Sequence, residues 1–537
     1  MELTDTIEEN RAPEPLAGSN IKNSAGRDNP NHNRKKRTIT RRSRQQSTSN
    51  RDILQSRRIQ PYHLCSSADL SAIEQQADWL LEKVGMEFRD DTTALDLFRQ
   101  AGAKVTGERV TFEAGLARSL CNSAPETFKL HSRNTNHTIT LGGDHLVLMP
   151  GYGSPFVTDL DQGRRYATIN DFHNFVKLTY STPYLHHSGG TVVEPVDIAV
   201  NKRHLDMVFA HLTLSDKPFM GAVTSIEGAE DSLKMARIVF GEETMNKHAV
   251  MQANININSP FVFDGVMSCA LRAYAKANQC VCVSPAIFGG AMGPVTPAAI
   301  TAQTLAEAMS GIALAQLVQP GCPVILGSFH STMNLRSGSL TFGTPEANLV
   351  TMALSQLGNR LGVPVRSGGG QITAANTADG QAMSDSTNAM WSTVLSGAHQ
   401  VWHAAGWLEG GLTMSYEKFI MDLDNCGAML RMLQGIQVND DTLTRGSYHE
   451  VGPGDNFLTT THTMNHYANA NYESLLPDTG SYESWKDNGA MRADERANKV
   501  WKKMLDDYQP PMLEQNKLET LTEFIATRKS EMPDKWY

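Results

Sequence analysis

The chain has 537 residues, 40% hydrophobic and 20% charged, with a formal net charge of −9 and seven cysteines. It is long enough to bury a sizeable core, and its cysteines are too few and scattered for a disulfide scaffold or a zinc ribbon; Cys280-x-Cys282 is what a strand places on one face. No apolar run approaches the roughly 18 residues that cross a bilayer, and Met1-Glu-Leu-Thr-Asp5 lacks the charged-then-apolar pattern of a secretion signal, so a reduced, cytoplasmic setting without membrane contact is expected.

Residues 1–59 read as a disordered basic tail. Over 1–58 there are thirteen basic and seven acidic residues, a net of +6 that leaves −15 on the rest of the chain. Between Arg34 and Arg58, ten Lys or Arg are spaced by Ser, Thr, Asn and Gln with almost nothing apolar. Such a stretch cannot offset the entropy of ordering. No aromatics interleave the charges, which argues against nucleic-acid binding by base stacking. A solvated tail that touches an acidic partner, or the acidic body itself, is expected.

Residues 60–144 read as a helical and β extension packing on the main domain. From 145 to 435, short apolar or β-branched runs end at Gly, Ser, Pro or Asn: 146–150, 187–193, 218–222, 250–255, 280–284, 323–327, 363–367 and 400–403. Helix-length stretches separate them, with apolar residues at three- and four-residue spacing over 298–318 and 344–361. Eight nearly continuous hydrophobic strands alternating with helices predict an α/β fold with a parallel sheet buried on both faces. Eight such units close most readily into a (β/α)8 TIM barrel. A doubly wound open sheet is the alternative, but no Gly-x-Gly-x-x-Gly opens a helix after the first strand. Residues 436–537 read as a C-terminal helical extension.

Barrel enzymes keep their chemistry at the C-terminal strand ends. The run Gln400-Val-Trp-His-Ala-Ala-Gly-Trp-Leu-Glu-Gly-Gly-Leu412 therefore aims His403, Trp407 and Glu409 into the mouth; the competing reading of His403 is a hydrogen-bonded core residue. Asn254, Asn256 and Asn258 alternate at the end of the fourth strand, to line the mouth or to satisfy loop backbone. Glu194, His330 and Glu346 follow other strands. His462 and His466 have the i, i+4 spacing of a metal pair, but the sequence offers no third ligand beside them, and no metal is expected.

Several long motifs together resemble the trimethylamine methyltransferase superfamily from about Gln60 to the C-terminus. They are Gly289-Gly-Ala-Met-Gly-Pro-Val-Thr296, Glu307-Ala-Met-Ser-Gly-Ile-Ala-Leu-Ala-Gln-Leu-Val318, Gly327-Ser-Phe-His-Ser331 with Leu335-Arg-Ser-Gly338, Gly343-Thr-Pro-Glu346, His403-Ala-Ala-Gly-Trp-Leu-Glu-Gly-Gly411, and Val451-Gly-Pro-Gly454 with His462. The resemblance implies a (β/α)8 barrel and a corrinoid-dependent methyltransferase. Trimethylamine enzymes carry pyrrolysine in the region corresponding to 367–377; here it reads Ser-Gly-Gly-Gly-Gln-Ile-Thr-Ala-Ala-Asn-Thr. This departure resembles the non-pyrrolysine branch, which acts on quaternary amines such as glycine betaine.

The resemblance further implies that the methyl acceptor is the Co(I) of a corrinoid (cobalamin) carried on a separate protein, so no tightly bound cofactor of the chain's own is expected. Alternatives are a tetrahydropterin acceptor or a non-catalytic betaine-binding relative. Demethylating a quaternary amine leaves a neutral tertiary amine, so no proton donor is obligatory. Positive charge vanishes in the transition state, which favours aromatic faces over a carboxylate at the nitrogen. Tyr152, Phe156, Phe288, Phe329, Trp402 and Trp407 lie at or past strand ends and are candidates for that cage, with a core role as the competing reading. A betaine carboxylate needs a fork of donors, for which Arg336, Arg366 and the amides of Gly368 to Gly370 are candidates. His403 and Glu409 are the expected catalytic residues, Glu409 orienting His403; Tyr152, Phe288, Phe329, His330, Arg336, Arg366 and Trp407 are the expected substrate contacts. A homo-oligomer is expected.

Overall fold

The computed structural model describes residues 55–476 and 478–536. Seven strands form one parallel sheet: β1 (Val147–Leu148), β2 (Phe219–Met220), β3 (Met251–Ile257), β4 (Cys280–Gly289), β5 (Val324–Gly327), β6 (Val365–Ser367) and β7 (Gln400–Val401). Neighbours pair in the order β2-β3-β4-β5-β6-β7-β1, so the last strand returns to the first. The sheet curls. Flat strands four places apart would stand about 19 Å from each other. Yet Gln252 of β3 and Gln400 of β7 exchange amide hydrogen bonds of 3.2 and 2.8 Å across the interior.

The expected second strand, 187–193, is not a strand in the structure. Gly189 adopts a φ of +97°, which breaks the extended run. Its backbone is nonetheless held on both sides: His186 N donates to Leu148 O (2.9 Å), Ser188 N to Pro218 O (2.8 Å), and Met220 N to Gly189 O (2.9 Å). Buried Lys217 secures the approach, its Nζ donating to the carbonyls of Thr179, Thr182 and Leu185 at 2.8 Å each. The expected eighth strand ends early, at Val401, because the chain turns away at His403.

Alternation along the strands turns Val147, Met220, Cys280, Cys282, Ile325 and Trp402 into one interior cluster. Below it, the hairpin Phe128–Leu130/Ile139–Leu141 adds Leu130, Ile139 and Leu141 at the N-terminal strand ends. Helices pack outside. Pro297–Val318 and Pro345–Leu361 match the sequence spacing and each starts on a proline whose missing N–H a first turn does not need. The first is apolar on all sides because it lies between β4 and the N-terminal helix Ser67–Lys83. Helix Tyr416–Leu433 follows the last strand and packs against the C-terminal helix Ala493–Asp506.

Above the C-terminal strand ends stand two small sheets. β4 runs on to pair in parallel with Phe329–Asn334, which folds back on Ser339–Thr341. Opposite in sequence order, Trp407–Leu408, Thr413–Ser415, Phe156–Thr158 and Arg165–Tyr166 make a four-stranded sheet. Among the described residues, no helix is long and apolar enough to cross a membrane.

The expected tail lies outside the described residues except for its last few, and those are anchored. Arg57 is buried, its guanidinium donating to the carbonyls of Ala398 (2.8 Å) and Gly397 (3.0 Å) behind the helix Gly380–Leu395, and Leu146 N donates to Gln55 O (2.6 Å). The packed body therefore begins before residue 59.

Candidate active site

Strand alternation decides what reaches the mouth. In β6, Arg366 lies in register between Gly327 of β5 and Gln400 of β7 and turns inward, 2% exposed. Its guanidinium carbon stands 4.1 Å from the centre of the Trp402 ring and 5.9 Å from that of Phe329. Nη1 donates to the Ser328 carbonyl, and Nη2 lies 3.3 Å from His403 Nε2. Among the described residues no carboxylate pairs with it. Burial pushes its pKa down to about 10, so it stays charged at neutral pH.

Just past β7, His403 takes a φ of +55°, a left-handed backbone that costs a non-glycine residue about 1 kcal/mol. Three backbone bonds hold it there: His403 N to Pro150 O (3.2 Å), Ala404 N to Met149 O (2.9 Å) and Gln371 N to His403 O (2.9 Å). The neighbouring strip passes so close that a Cβ on Gly370 would lie 2.1 Å from Trp402 O, which only glycine allows. Burial first, and Arg366 second, hold the imidazole well below its ordinary pKa, so it is neutral. Since a guanidinium only donates, Nε2 accepts and the proton sits on Nδ1. That N–H has no partner among the described residues, and neither do Arg366 Nε–H and Trp407 Nε1–H. Three buried donors in one cluster lack acceptors, where native interiors leave few.

Aromatic rings enclose this group. His403 and Trp407 have centroids 4.1 Å apart; Phe329 lies 5.7 Å from His403, 5.9 Å from Trp407 and 5.9 Å from Phe288. Tyr152 stands 5.6 Å from Trp402, in space opened by Gly190, where a Cβ would meet the Tyr152 ring at 2.9 Å. Burial raises the Tyr152 phenol above its ordinary value, so it is a neutral hydroxyl beside Thr191 and Asn254. Beneath the His403 turn, Lys418 and Asp422 form a fully buried ion pair (2.7 Å), and Asp422 also accepts from Gly406 N at 2.8 Å. Burial pushes Asp422 up to about 6 despite Lys418 beside it.

The structure thus brings together Tyr152, Phe288, Phe329, Arg366, Trp402, His403 and Trp407 from the sequence-derived set. Others lie elsewhere. Glu409 does not orient His403: both its oxygens accept from Arg164 Nε at 3.0 Å. Arg336 is exposed at the turn of the Phe329–Thr341 hairpin, where loop geometry rather than strand alternation sets its direction. His330 points away on the pleat, its Nε2 bonding Ala347 O (2.9 Å) and Thr351 Oγ1 (3.1 Å). The amides of Gly368 and Gly369 are already taken by the hydroxyls of Ser328 and Ser367 (3.1 and 2.9 Å). Phe156 lies under Arg164 (3.6 Å), Glu194 pairs with Arg203 (2.7 Å), and Glu346 is exposed. Asn254 is buried, while Asn256 and Asn258 are exposed. Sequence reasoning missed Phe342, 5.7 Å from Phe329 and 5.8 Å from Trp407, which arrives on the far arm of the hairpin with no strand-end signal. It also missed Lys418 and Asp422, although opposite charges at i, i+4 of one helix were a readable sign. A separate open cleft of about 720 Å³, lined by Leu160, Met383, Leu408 and Arg492 among others, shares only the strand Trp407–Leu408 with this cluster.

A methyltransferase family accounts for such a chain: the family model described as Trimethylamine methyltransferase (MTTB) matches residues 31–533, and the chain belongs to that family. Glycine betaine methyltransferase of Desulfitobacterium hafniense (strain Y51) is 38% identical over 472 residues, covering 88% of this chain and 98% of that protein. The L-carnitine:corrinoid methyltransferase of Eubacterium limosum is 27% identical over 463 residues, covering 82% and 92%. Among solved structures, the monomethylamine methyltransferase of Methanosarcina barkeri aligns with a TM-score of 0.44 at 12% identity, over 84% of this chain and 95% of that one. Standard residues throughout 367–377 and the likeness to the glycine betaine enzyme fit the non-pyrrolysine branch.

Proposed function

We propose that the chain takes a methyl group from a betaine, a quaternary amine bearing a carboxylate, at the mouth of a closed (β/α)8 barrel, and passes it to a corrinoid on a separate protein. Support for closure comes from the 186–189 backbone, which bonds to both β1 and β2 and fills the eighth place. Support for the acceptor comes from the carnitine relative, whose name states it.

The observation that carries the substrate reading is Arg366: a buried guanidinium with no carboxylate partner among the described residues, next to two further N–H donors unpaired among them. Burying an uncompensated charge is costly, and a ligand carboxylate relieves that cost. Arg366, His403 Nδ1 and Trp407 Nε1 supply donors for it. Phe288, Phe329 and Tyr152 offer ring faces to the ammonium, at about 0.5–2 kcal/mol per ring, without a carboxylate that would favour the charged ground state. When docked, the corrinoid supplies a low-valent cobalt that accepts the methyl. The protein's part is to hold the ammonium in a dry mouth and orient one methyl outward. Neutral His403 suits a reaction whose leaving amine needs no proton.

The test is methyl transfer to free cob(I)alamin from glycine betaine, carnitine, choline and trimethylamine. Turnover of a carboxylate-bearing quaternary amine, with choline at least tenfold poorer in kcat/KM and trimethylamine inactive, is expected. Efficient use of trimethylamine, or no preference between betaine and choline, sinks the reading.

A further inference from the structure

Beyond helix Tyr416–Leu433 the chain makes a long excursion before returning to that helix. The return is tight: Tyr472 Oη donates to Asp424 O (3.1 Å) and Leu475 N to Asp424 Oδ1 (2.7 Å). Between 434 and 471 the only buried side chains are Ser447 and Thr460, both polar. Ile436 is 92% exposed and Leu458 75%. Three helices of four to six residues, Asp440–Leu443, Ser447–Glu450 and Thr461–His466, are too short to be stable alone. A segment of this size without an apolar core calls for a staple.

The residues for one are present. His462 and His466 lie one turn apart on the last short helix, ring centroids 4.3 Å apart. The fold brings in the third donor that the sequence spacing lacked: Asp441, 25 residues before His466, stands with its Oδ2 3.1 Å from His466 Nε2. One ligand atom from each of the three falls within 4.8 Å of the others. The His462 Nε2 atom is buried and has no hydrogen-bond partner among the described residues, which an Asp441–His466 ion pair alone leaves unexplained.

We propose that Asp441, His462 and His466 bind a divalent transition metal of the Zn²⁺ class, which ties helix Asp440–Leu443 to helix Thr461–His466. Two imidazoles and a carboxylate are the donor set of a borderline cation, not of Mg²⁺ or Ca²⁺. Ligand atoms about 2.0–2.1 Å from a tetrahedral ion lie about 3.4 Å apart, so side-chain rotation closes the present spacing. Three protein ligands leave the fourth position to water. The site is structural and lies outside the Arg366 cluster; it does not depend on the methyl-transfer reading.

Metal content of the full chain, exchanged into metal-free buffer and then titrated with Zn²⁺ against a chromogenic chelator, tests it. One Zn²⁺ per chain is expected, with at least tenfold weaker binding in His462→Ala, His466→Ala and Asp441→Asn and the main melting transition unmoved. Co²⁺ in place of Zn²⁺ gives the visible absorption of a tetrahedral site in the wild type and loses it in each variant. Chelator treatment of the wild type should open 434–471 to proteolysis, a readout that needs no variant to fold. Absence of Zn²⁺ binding at micromolar concentration, or a full metal complement in the His462→Ala and His466→Ala variants, overturns the proposal.

Discussion

The floor of the mouth and the hairpin beside it carry the same kind of signal, an arginine at or just past the end of an expected strand, and the fold treats the two in opposite ways. Arg366 sits inside β6, where alternation and register with Gly327 and Gln400 turn it inward against Trp402. Arg336 sits at the turn between Phe329–Asn334 and Ser339–Thr341, exposed, its backbone N–H held by Asn334 Oδ1 at 3.0 Å. A strand fixes which way a side chain points; a turn leaves a long side chain to solvent. The floor should therefore be sensitive to single changes and the hairpin tolerant of them.

The largest effect is expected below the floor. Asp422→Asn leaves Lys418 charged and fully buried without a counter-ion while Gly406 N loses a charged acceptor. Breaking one side of such a pair costs about 3–5 kcal/mol. Denaturant unfolding should show it, and the double change Lys418→Met with Asp422→Leu should recover much of it. A loss under about 1 kcal/mol would mean the pair does not hold the floor in place.

Next comes Arg366→Ala. A hydrogen bond to a charged group is worth about 1.5–3 kcal/mol, so kcat/KM for a betaine should fall tenfold to a hundredfold and for choline far less. Melting should hold or rise, since an unpaired buried charge is removed. Equal losses on both substrates, or a collapsed melting temperature, would make Arg366 a structural arginine and erase its contrast with Arg336.

How much of this was legible follows from the same contrast. Period-two and helical spacing located seven strands and the helices Pro297–Val318 and Pro345–Leu361, because hydrophobic burial writes those periods into the chain. Arg366, His403, Trp407 and Phe329 were legible as strand-end residues. His330 and Arg366 show the limit: one was expected just after a strand and the other at a strand's end, both facing the mouth, but His330 falls on the outward pleat, bonded to Ala347 and Thr351. Its phase depends on Ser328, where β5 gives way to the next strand, and a break in pairing resets which face is inward. Glu409 and Glu194 were claimed by Arg164 and Arg203, partners distant or unmarked in sequence. The His187–Val193 run was misread because its glycines break the strand while backbone bonds keep its place.

At His403 a smaller effect separates function from strain. His403→Ala should lower methyl transfer about tenfold, the 1.4 kcal/mol of a lost charged hydrogen bond, with melting near wild type. His403→Gly should lower it equally yet be about 1 kcal/mol more stable than His403→Ala, because glycine takes the +55° φ freely. Full activity in either variant would remove His403 from the site. The buried histidines also set the acid limb of stability. Burial drops His330 from its ordinary 6.5 to about 4, so below pH 6.5 the unfolded chain takes up a proton that the folded one refuses. Its contribution is complete above pH 6.5 and falls by about 1.4 kcal/mol per pH unit as pH drops toward 4. His330→Gln should reduce the slope of that limb by up to about 1.4 kcal/mol per pH unit in urea titrations at pH 7, 6 and 5, the other buried histidines keeping the rest; an unchanged slope would show that His330 does not contribute to it.

The smallest effect is expected on the hairpin. Arg336 is exposed, makes no side-chain bond among those described, and has only its backbone amide fixed, by Asn334. Arg336→Ala should therefore change melting by less than about 0.5 kcal/mol, as surface substitutions do. Betaine turnover with free cob(I)alamin should stay within about twofold, since 0.4 kcal/mol is a factor of two. The same assay on Arg366→Ala supplies the contrast in one experiment. If Arg336→Ala instead loses tenfold on betaine and little on choline, the hairpin bends inward when substrate binds, and the carboxylate is read from the turn as well as from the strand.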